Sequence, residues 1–180
     1  MKRVILFTIL ILAVLFVPSQ SFAQEEDLNP SVSPSPTPTL TPKPVDYQLP
    51  YPGLLPDSPL YFLKIGRDRI IDFLISDPLK QAEFDLLQAE KRFASGIALF
   101  EKEKKELAVT TISKGQNYFE KAIQNIEIAK TQGIDTSSLL EKMYRSARKQ
   151  QEILRVQKGM EPLLKRLQGF EEKVNKLREK

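Results

Sequence analysis

Five carboxylates, Asp68, Asp72, Asp77, Glu83 and Asp85, crowd around one Asp-Pro corner at positions 77 and 78. Carboxylate oxygens converging on one point are what a hard cation such as calcium requires. The spacing argues for plainer roles. Asp77 precedes Pro78 as a helix N-cap, Asp68 is flanked by Arg67 and Arg69, and no calcium-loop pattern with its glycine is present. No metal ligand is therefore expected. Carboxylate pairs also carry out glycoside hydrolysis, but they must line a substrate cleft, and the regular helical stripes described below leave none in view. The chain has no histidine, which removes the commonest general base and the commonest transition-metal ligand. Ser113 and Lys114, the one hydroxyl-amine adjacency of interest, fall on different helix faces. No catalytic residue, no cofactor and no enzymatic activity are expected.

The remaining chemistry is charge. From residue 139 onward there are 12 Lys or Arg against 6 Glu, with Arg145, Arg148, Lys149, Lys165 and Arg166 in short groups. Such residues either solvate the outer face of amphipathic helices or contact anionic envelope polymers and lipid headgroups. Contacts of the second kind weaken with salt. The whole chain carries +4, of which Lys2 and Arg3 belong to an N-terminal segment expected to be lost, leaving +2. That near balance disfavours nucleic acid as a partner.

The N-terminal segment has cations at Lys2 and Arg3, an apolar run over residues 4–17 and small residues at Ser21 and Ala23. This is the grammar of a Sec-type secretory signal. As a helix the run would reach about 21 Å, short of the roughly 30 Å hydrocarbon core. Pro18 breaks it and leaves Ser21-Phe22-Ala23 extended, so cleavage is expected after Ala23. The alternative is an uncleaved N-terminal membrane anchor. No cysteine follows the run, so a lipoprotein is excluded and no disulfide stabilises the fold. The expected location is extracytoplasmic: secreted, periplasmic or in the cell wall. Residues 30–44 read PSVSPSPTPTLTPKP. Proline alternating with Ser and Thr cannot build a core, so residues 24–46 are expected to be a disordered Pro-rich linker, a wall-crossing spacer or an O-glycosylated stalk.

From Tyr47 the composition turns to aromatics and leucines among prolines, and the spacing then predicts helices. Ser58 and Pro59 start a first helix running to about Ile75, with Leu60, Leu63, Ile70 and Leu74 on one face. Asp77-Pro78 starts a second, whose stripe is Leu79, Ala82, Leu86, Ala89, Phe93, Ile97 and Phe100, with Gly96 marking a close helix approach. A boundary near Lys104 and Lys105 precedes a third, with a seam of Ala108, Ile112, Gly115, Phe119, Ala122, Ile126 and Ala129 and a left-handed cap at Gly133. Ser138 and Glu141 read as a capping box for a fourth helix faced by Leu140, Met143, Ala147, Gln151 and Leu154. Gly159 and Pro162 interrupt it, leaving open one bent helix or two. Leu163, Leu167, Phe170, Val174 and Leu177 resume in heptad steps, as an intramolecular seam or as a surface for self-association.

The expected fold class is all-α: an antiparallel bundle of four to five helices, with residues 47–158 as the bundle and residues 159–180 as an amphipathic C-terminal helix packed on it or projecting as a coiled coil. Helices two, three and four are expected up-down-up, with the first helix and its aromatic lead-in closing one end.

PGLLPDSPLYFLK at 52–64, the Asp-Pro corner and AEKRFA at 89–94 resemble a bacterial family known only as domain of unknown function 5667. The resemblance covers roughly residues 50–155. It implies an extracytoplasmic helical domain behind a signal or membrane segment and a low-complexity linker, with no assigned activity and no catalytic residue to carry over. The functional expectation is a non-enzymatic interaction or structural module of the cell envelope, partnered by an envelope protein or an anionic envelope polymer. A periplasmic-type helical chaperone or stress sensor is the alternative.

Overall fold

The computed structural model describes residues 44–179. Among them are five helices and no strand: α1 (Tyr61–Leu74), α2 (Pro78–Glu101), α3 (Lys105–Thr131), α4 (Ser137–Arg155) and α5 (Glu161–Arg178). The signal-like segment and most of the Pro-rich stretch lie outside the described residues.

α2 begins where its sequence says. Asp77 Oδ1 accepts the Lys80 N–H at 2.8 Å and Pro78 occupies the first turn, where a missing N–H costs nothing. The reversal into α3 takes residues 102–104, with Glu103 at φ 60°. α2 and α3 then run antiparallel, unusually close, because two glycines face across them. A Cβ on Gly96 would stand 2.3 Å from Ile112 Cγ1, and one on Gly115 would stand 2.9 Å from the Ala89 carbonyl oxygen. α3 ends as expected, with Gly133 at φ 74° and the Ile134 N–H returning to the Ala129 carbonyl.

Two predicted caps do not form. Ser58 Oγ accepts from Leu60 N at a long 3.4 Å within a turn, and α1 starts later, at Tyr61. At α4 no side chain caps the helix; Asp135 Oδ1 takes the Ser137 N–H instead, and Glu141 is drawn to Arg145 and Arg178. The interruption at 159–162 is a true break, so α4 and α5 are two helices, with Gly159 at φ 82° in the connection.

α4 and α5 form a second antiparallel hairpin, tied by Gln151 to Glu171 at 2.7 Å and Arg178 to Glu141 at 2.5 Å. The hairpins stack so that α5 lies beside α3 and α4 beside α2. Bonds from α3 to α5 climb both helices together: Gln116 to the Leu163 carbonyl, Glu120 to Arg166 and Lys130 to the Leu177 carbonyl. Neighbours across the two hairpins are therefore parallel. Helices α2, α3 and α4 run up-down-up as expected, but α4 does not pack beside α3: residues 132–136 carry the chain diagonally across the bundle end, and the second hairpin covers the apolar side of the glycine-closed α2/α3 pair. The core holds Leu86, Phe93, Ile112, Phe119, Ile126, Met143 and Leu154, and Phe119 stacks on Phe170 with centroids 5.3 Å apart. Leu163, Leu167, Phe170 and Val174 are buried in it and Leu177 packs at its edge, so in this fold the heptad stripe is spent within the chain.

Candidate functional site: the outward face of the first helix

The lead-in reaches α1 as a strap across the bundle. Glu152 Oε2 accepts the Val45 N–H at 2.9 Å, and with Lys149 beside it this holds the Glu152 carboxyl below the usual range. Tyr47 donates its hydroxyl to Glu90, a side chain only 2% exposed. Burial pushes the Glu90 carboxyl up, against the Tyr47 and Ser146 hydroxyls, and burial beside Glu90 pushes the Tyr47 phenol up as well. Gly53, at φ 68°, turns the strap, and Lys64 of α1 donates back to the Pro52 carbonyl at 2.7 Å. Asp57 is paired with Lys104 at 2.8 Å, which keeps its carboxyl low.

α1 does not close the bundle end. It lies on the outside with its polar side inward, reversing the expected orientation. Tyr61 accepts from Arg92 at 3.1 Å, Asp72 accepts from Gln81 at 2.5 Å, and Asp68 is buried with Arg67 at 2.8 Å. The surface it rests on is polar and cationic: Arg92, stacked 4.6 Å from the Tyr118 ring centroid, with Lys114 and Lys121. The Tyr61 hydroxyl finds Arg92 there, Asp72 finds Gln81 at the start of α2, and Asp68 is answered by Arg67 of its own helix above this cationic surface, which the leucines and phenylalanines could not use.

The consequence is an apolar face turned to water. Phe73 is 87% exposed, Leu74 70%, Phe62 65%, Ile70 64% and Leu63 57%. At about 100° per residue these side chains share one arc of the helix, bounded by Arg69 on one edge and Arg67 on the other. Both acidic residues of α1 lie on the opposite side. Beside the arc a shallow groove of about 450 Å³ continues it, lined by Tyr51, Leu54 and Leu63 together with Arg67 and Lys91. The Lys64 ammonium is held below its ordinary value by burial, and the surrounding Lys91, Arg92 and Arg67 push the same way against Asp68. Among the described residues no helix is long and apolar enough to cross a membrane.

The basic residues singled out in sequence are mostly occupied. Arg145 pairs with Glu141 at 3.1 Å, Arg148 with Glu171 at 3.5 Å, Lys149 with Glu152 at 3.0 Å and Arg166 with Glu120 at 2.9 Å, while Lys165 is exposed. The structure thus does not assemble the five into one unopposed cationic surface. The carboxylates at the Asp-Pro corner do not converge either. Asp68 and Asp72 are engaged as above, Asp77 caps α2, Glu83 is exposed and Asp85 is buried against Asn125 at 2.9 Å. Among the described residues no three such side chains gather as for a metal ion. Burial raises the Asp85 carboxyl to about 6. Its Oδ1 and the neighbouring Gln81 Oε1 have no hydrogen-bond partner.

The outward face was missed in sequence, although a signal was present. Tyr61, Asp68 and Asp72 repeat on one side of α1 and carry more specific bonding capacity than the apolar side opposite them.

No curated protein and no solved structure matches the chain. A family model described as a domain of unknown function, DUF5667, matches residues 53–178, which takes in all five helices and extends past the stretch where the sequence resemblance was visible. The chain belongs to the domain of unknown function 5667 family.

Proposed function

We propose that the chain is an exported, non-enzymatic binding module of the cell envelope whose working surface is the outward face of α1. One observation carries this reading: a helix fastened to a well-packed bundle by its polar side, with Phe62, Leu63, Ile70, Phe73 and Leu74 left facing water. Their exposed area is on the order of 600 Å², the upper end of the largest apolar patch on a typical monomeric protein, a patch that is often functional. Export is supported by the order of cations, apolar run and small residues before Gln24.

The test is retention. Produced with its own N-terminus in a bacterial host, the chain should leave the cytoplasm and stay with the envelope fraction. The double substitution Phe73→Ser with Leu74→Ser should release it without changing its helical spectrum. Finding the chain only in the cytoplasm, or finding the double variant retained as firmly as the parent, would end this reading.

The chaperone reading is favoured by a second feature, an open groove of about 620 Å³ lined by Ile75, Leu79, Phe84, Leu87 and Leu139. A holdase with this groove would keep an unfolded client from aggregating at near-equimolar ratio. Unchanged light scattering from such a client would remove it.

A further inference from the structure

Resting on the reading that the outer face of α1 is the binding surface, we infer that its occupant is an anionic lipid bilayer, on which α1 lies flat with Phe62, Leu63, Ile70, Phe73 and Leu74 at the acyl boundary and Arg67, Arg69 and Lys91 among the phosphates. α1 has 14 residues and so measures about 21 Å, too short to span a bilayer and suited to lying in its surface. The arginines stand at the two edges of the apolar arc, where a long side chain can keep its charge at the headgroups while its stem follows the apolar residues down. The carboxylates of α1 that would repel phosphate are turned away, Asp72 onto Gln81 and Asp68 into burial against Arg67, whose guanidinium side chain stays 61% exposed beside the arc. The groove beside the arc offers apolar Tyr51, Leu54 and Leu63 under the cations Arg67 and Lys91, the same pairing of chemistries that a lipid headgroup and its acyl chain present.

Charge also decides against a second copy as the occupant. A two-fold pairing of this face would set the exposed Arg67 and Arg69 against their own kind, and Asp68, buried and already paired with Arg67 of its own chain, cannot reach across to answer them. A bilayer carrying anionic headgroups complements both edges at once.

The chain has no cysteine, so one introduced at the face is unique. Phe73→Cys in the full chain, carrying an environment-sensitive fluorophore, is mixed with vesicles of phosphatidylcholine alone or with one part in three phosphatidylglycerol. Gln168→Cys, on the exposed side of α5, is the control. The expected result is a blue shift at position 73 with the anionic vesicles, suppressed by salt, and none at 168. Arg69→Gln should weaken the partitioning about fivefold, one cation's worth at an anionic surface, and Leu74→Ser about tenfold.

Equal shifts on neutral and anionic vesicles, or none on either, overturn the inference. So does a shift that grows with protein concentration without lipid, which would assign the face to a second copy. A label already shielded in dilute solution and uncovered by deletion of residues 1–23 overturns it equally, by assigning the face to the chain's own N-terminal segment. Shielding by an envelope protein extract but not by lipid overturns the lipid assignment while leaving the binding-module reading intact. Shielding by neither removes both.

Discussion

Replacing Gly115 by alanine and Gly169 by alanine makes the same covalent change in two helices, with opposite expected consequences. Alanine is favoured over glycine in a helix interior by about 1 kcal/mol. At Gly169 a new Cβ meets nothing within 4 Å, so that gain should appear nearly whole, as about 0.5–1 kcal/mol of added stability. At Gly115 the new Cβ would stand 2.9 Å from the Ala89 carbonyl oxygen, 3.1 Å from Arg92 Cβ and 3.3 Å from the Phe93 nitrogen. Two of these three atoms are backbone of α2 and cannot rotate away, so α2 and α3 must separate. Overpacking of this kind costs about 1–3 kcal/mol, and with the propensity gain subtracted a net loss of up to about 2 kcal/mol remains. Because the propensity gain is common to both, the two variants should differ by the overpacking cost alone, about 1–3 kcal/mol, or on the order of 10 °C in midpoint for a domain of this size. Urea and thermal unfolding followed by helical circular dichroism read this directly. Equal stabilisation by both substitutions would refute the reasoning, because it would mean that α2 and α3 are not in backbone contact at Gly115.

Asp85 gives a pH prediction whose sign follows from burial. Its folded carboxyl titrates at about 6, above the unfolded value, so the native state binds the extra proton and stability falls as pH rises from about 4 through 6. Asp85→Asn should flatten that slope and stabilise the protein at neutral pH by about 1–3 kcal/mol, since an amide supplies a donor where two oxygens lack one; urea midpoints at several pH values check both. Tyr47→Phe leaves the buried Glu90 carboxylate without its phenolic donor and should cost about 1–3 kcal/mol, with faster proteolytic cutting of residues 44–52 as the local sign. Glu103, left-handed at φ 60°, should accept glycine with a gain of up to about 1 kcal/mol, read from the unfolding midpoint. Phe73→Ser should change the unfolding free energy by less than about 0.5 kcal/mol, whereas Phe93→Ala, in the core, should cost about 3–5 kcal/mol, both read from the same unfolding curves.

Where a structural decision is local, the residues announce it. Asp77-Pro78 marks the start of α2, Gly133 ends α3, Gly159 with Pro162 separates α4 from α5, and Gly96 marks a close approach, all without any knowledge of the partner. Decisions between distant elements are not announced. Periodicity placed Leu63, Ile70 and Leu74 on one face of α1 correctly, but could not say which way that face points; the bonds of Tyr61 to Arg92 and of Asp72 to Gln81, on the next helix, hold the opposite face in. The parallel pairing of α3 with α5 was hidden for the same reason, since a connection of five residues can reach an adjacent or a diagonal position. The strap bond from Tyr47 to Glu90 spans 43 positions and has no local signature at either end. The basic groups at 145–149 and 165–166 looked unopposed because Glu120 and Glu171, which answer two of them, lie on other helices.

The strap also determines how the domain bears a mechanical load. Any tension transmitted through the chain from before residue 44 meets the Val45–Glu152 and Tyr47–Glu90 bonds before it can reach α1. Both bonds end on the stiff helices of the bundle, α4 and α2, so those helices take up the pull while α1, downstream of them, stays slack. The anchorage works as a strain relief does on a cable: pull entering ahead of Val45 is taken by α4 and α2 before it reaches α1.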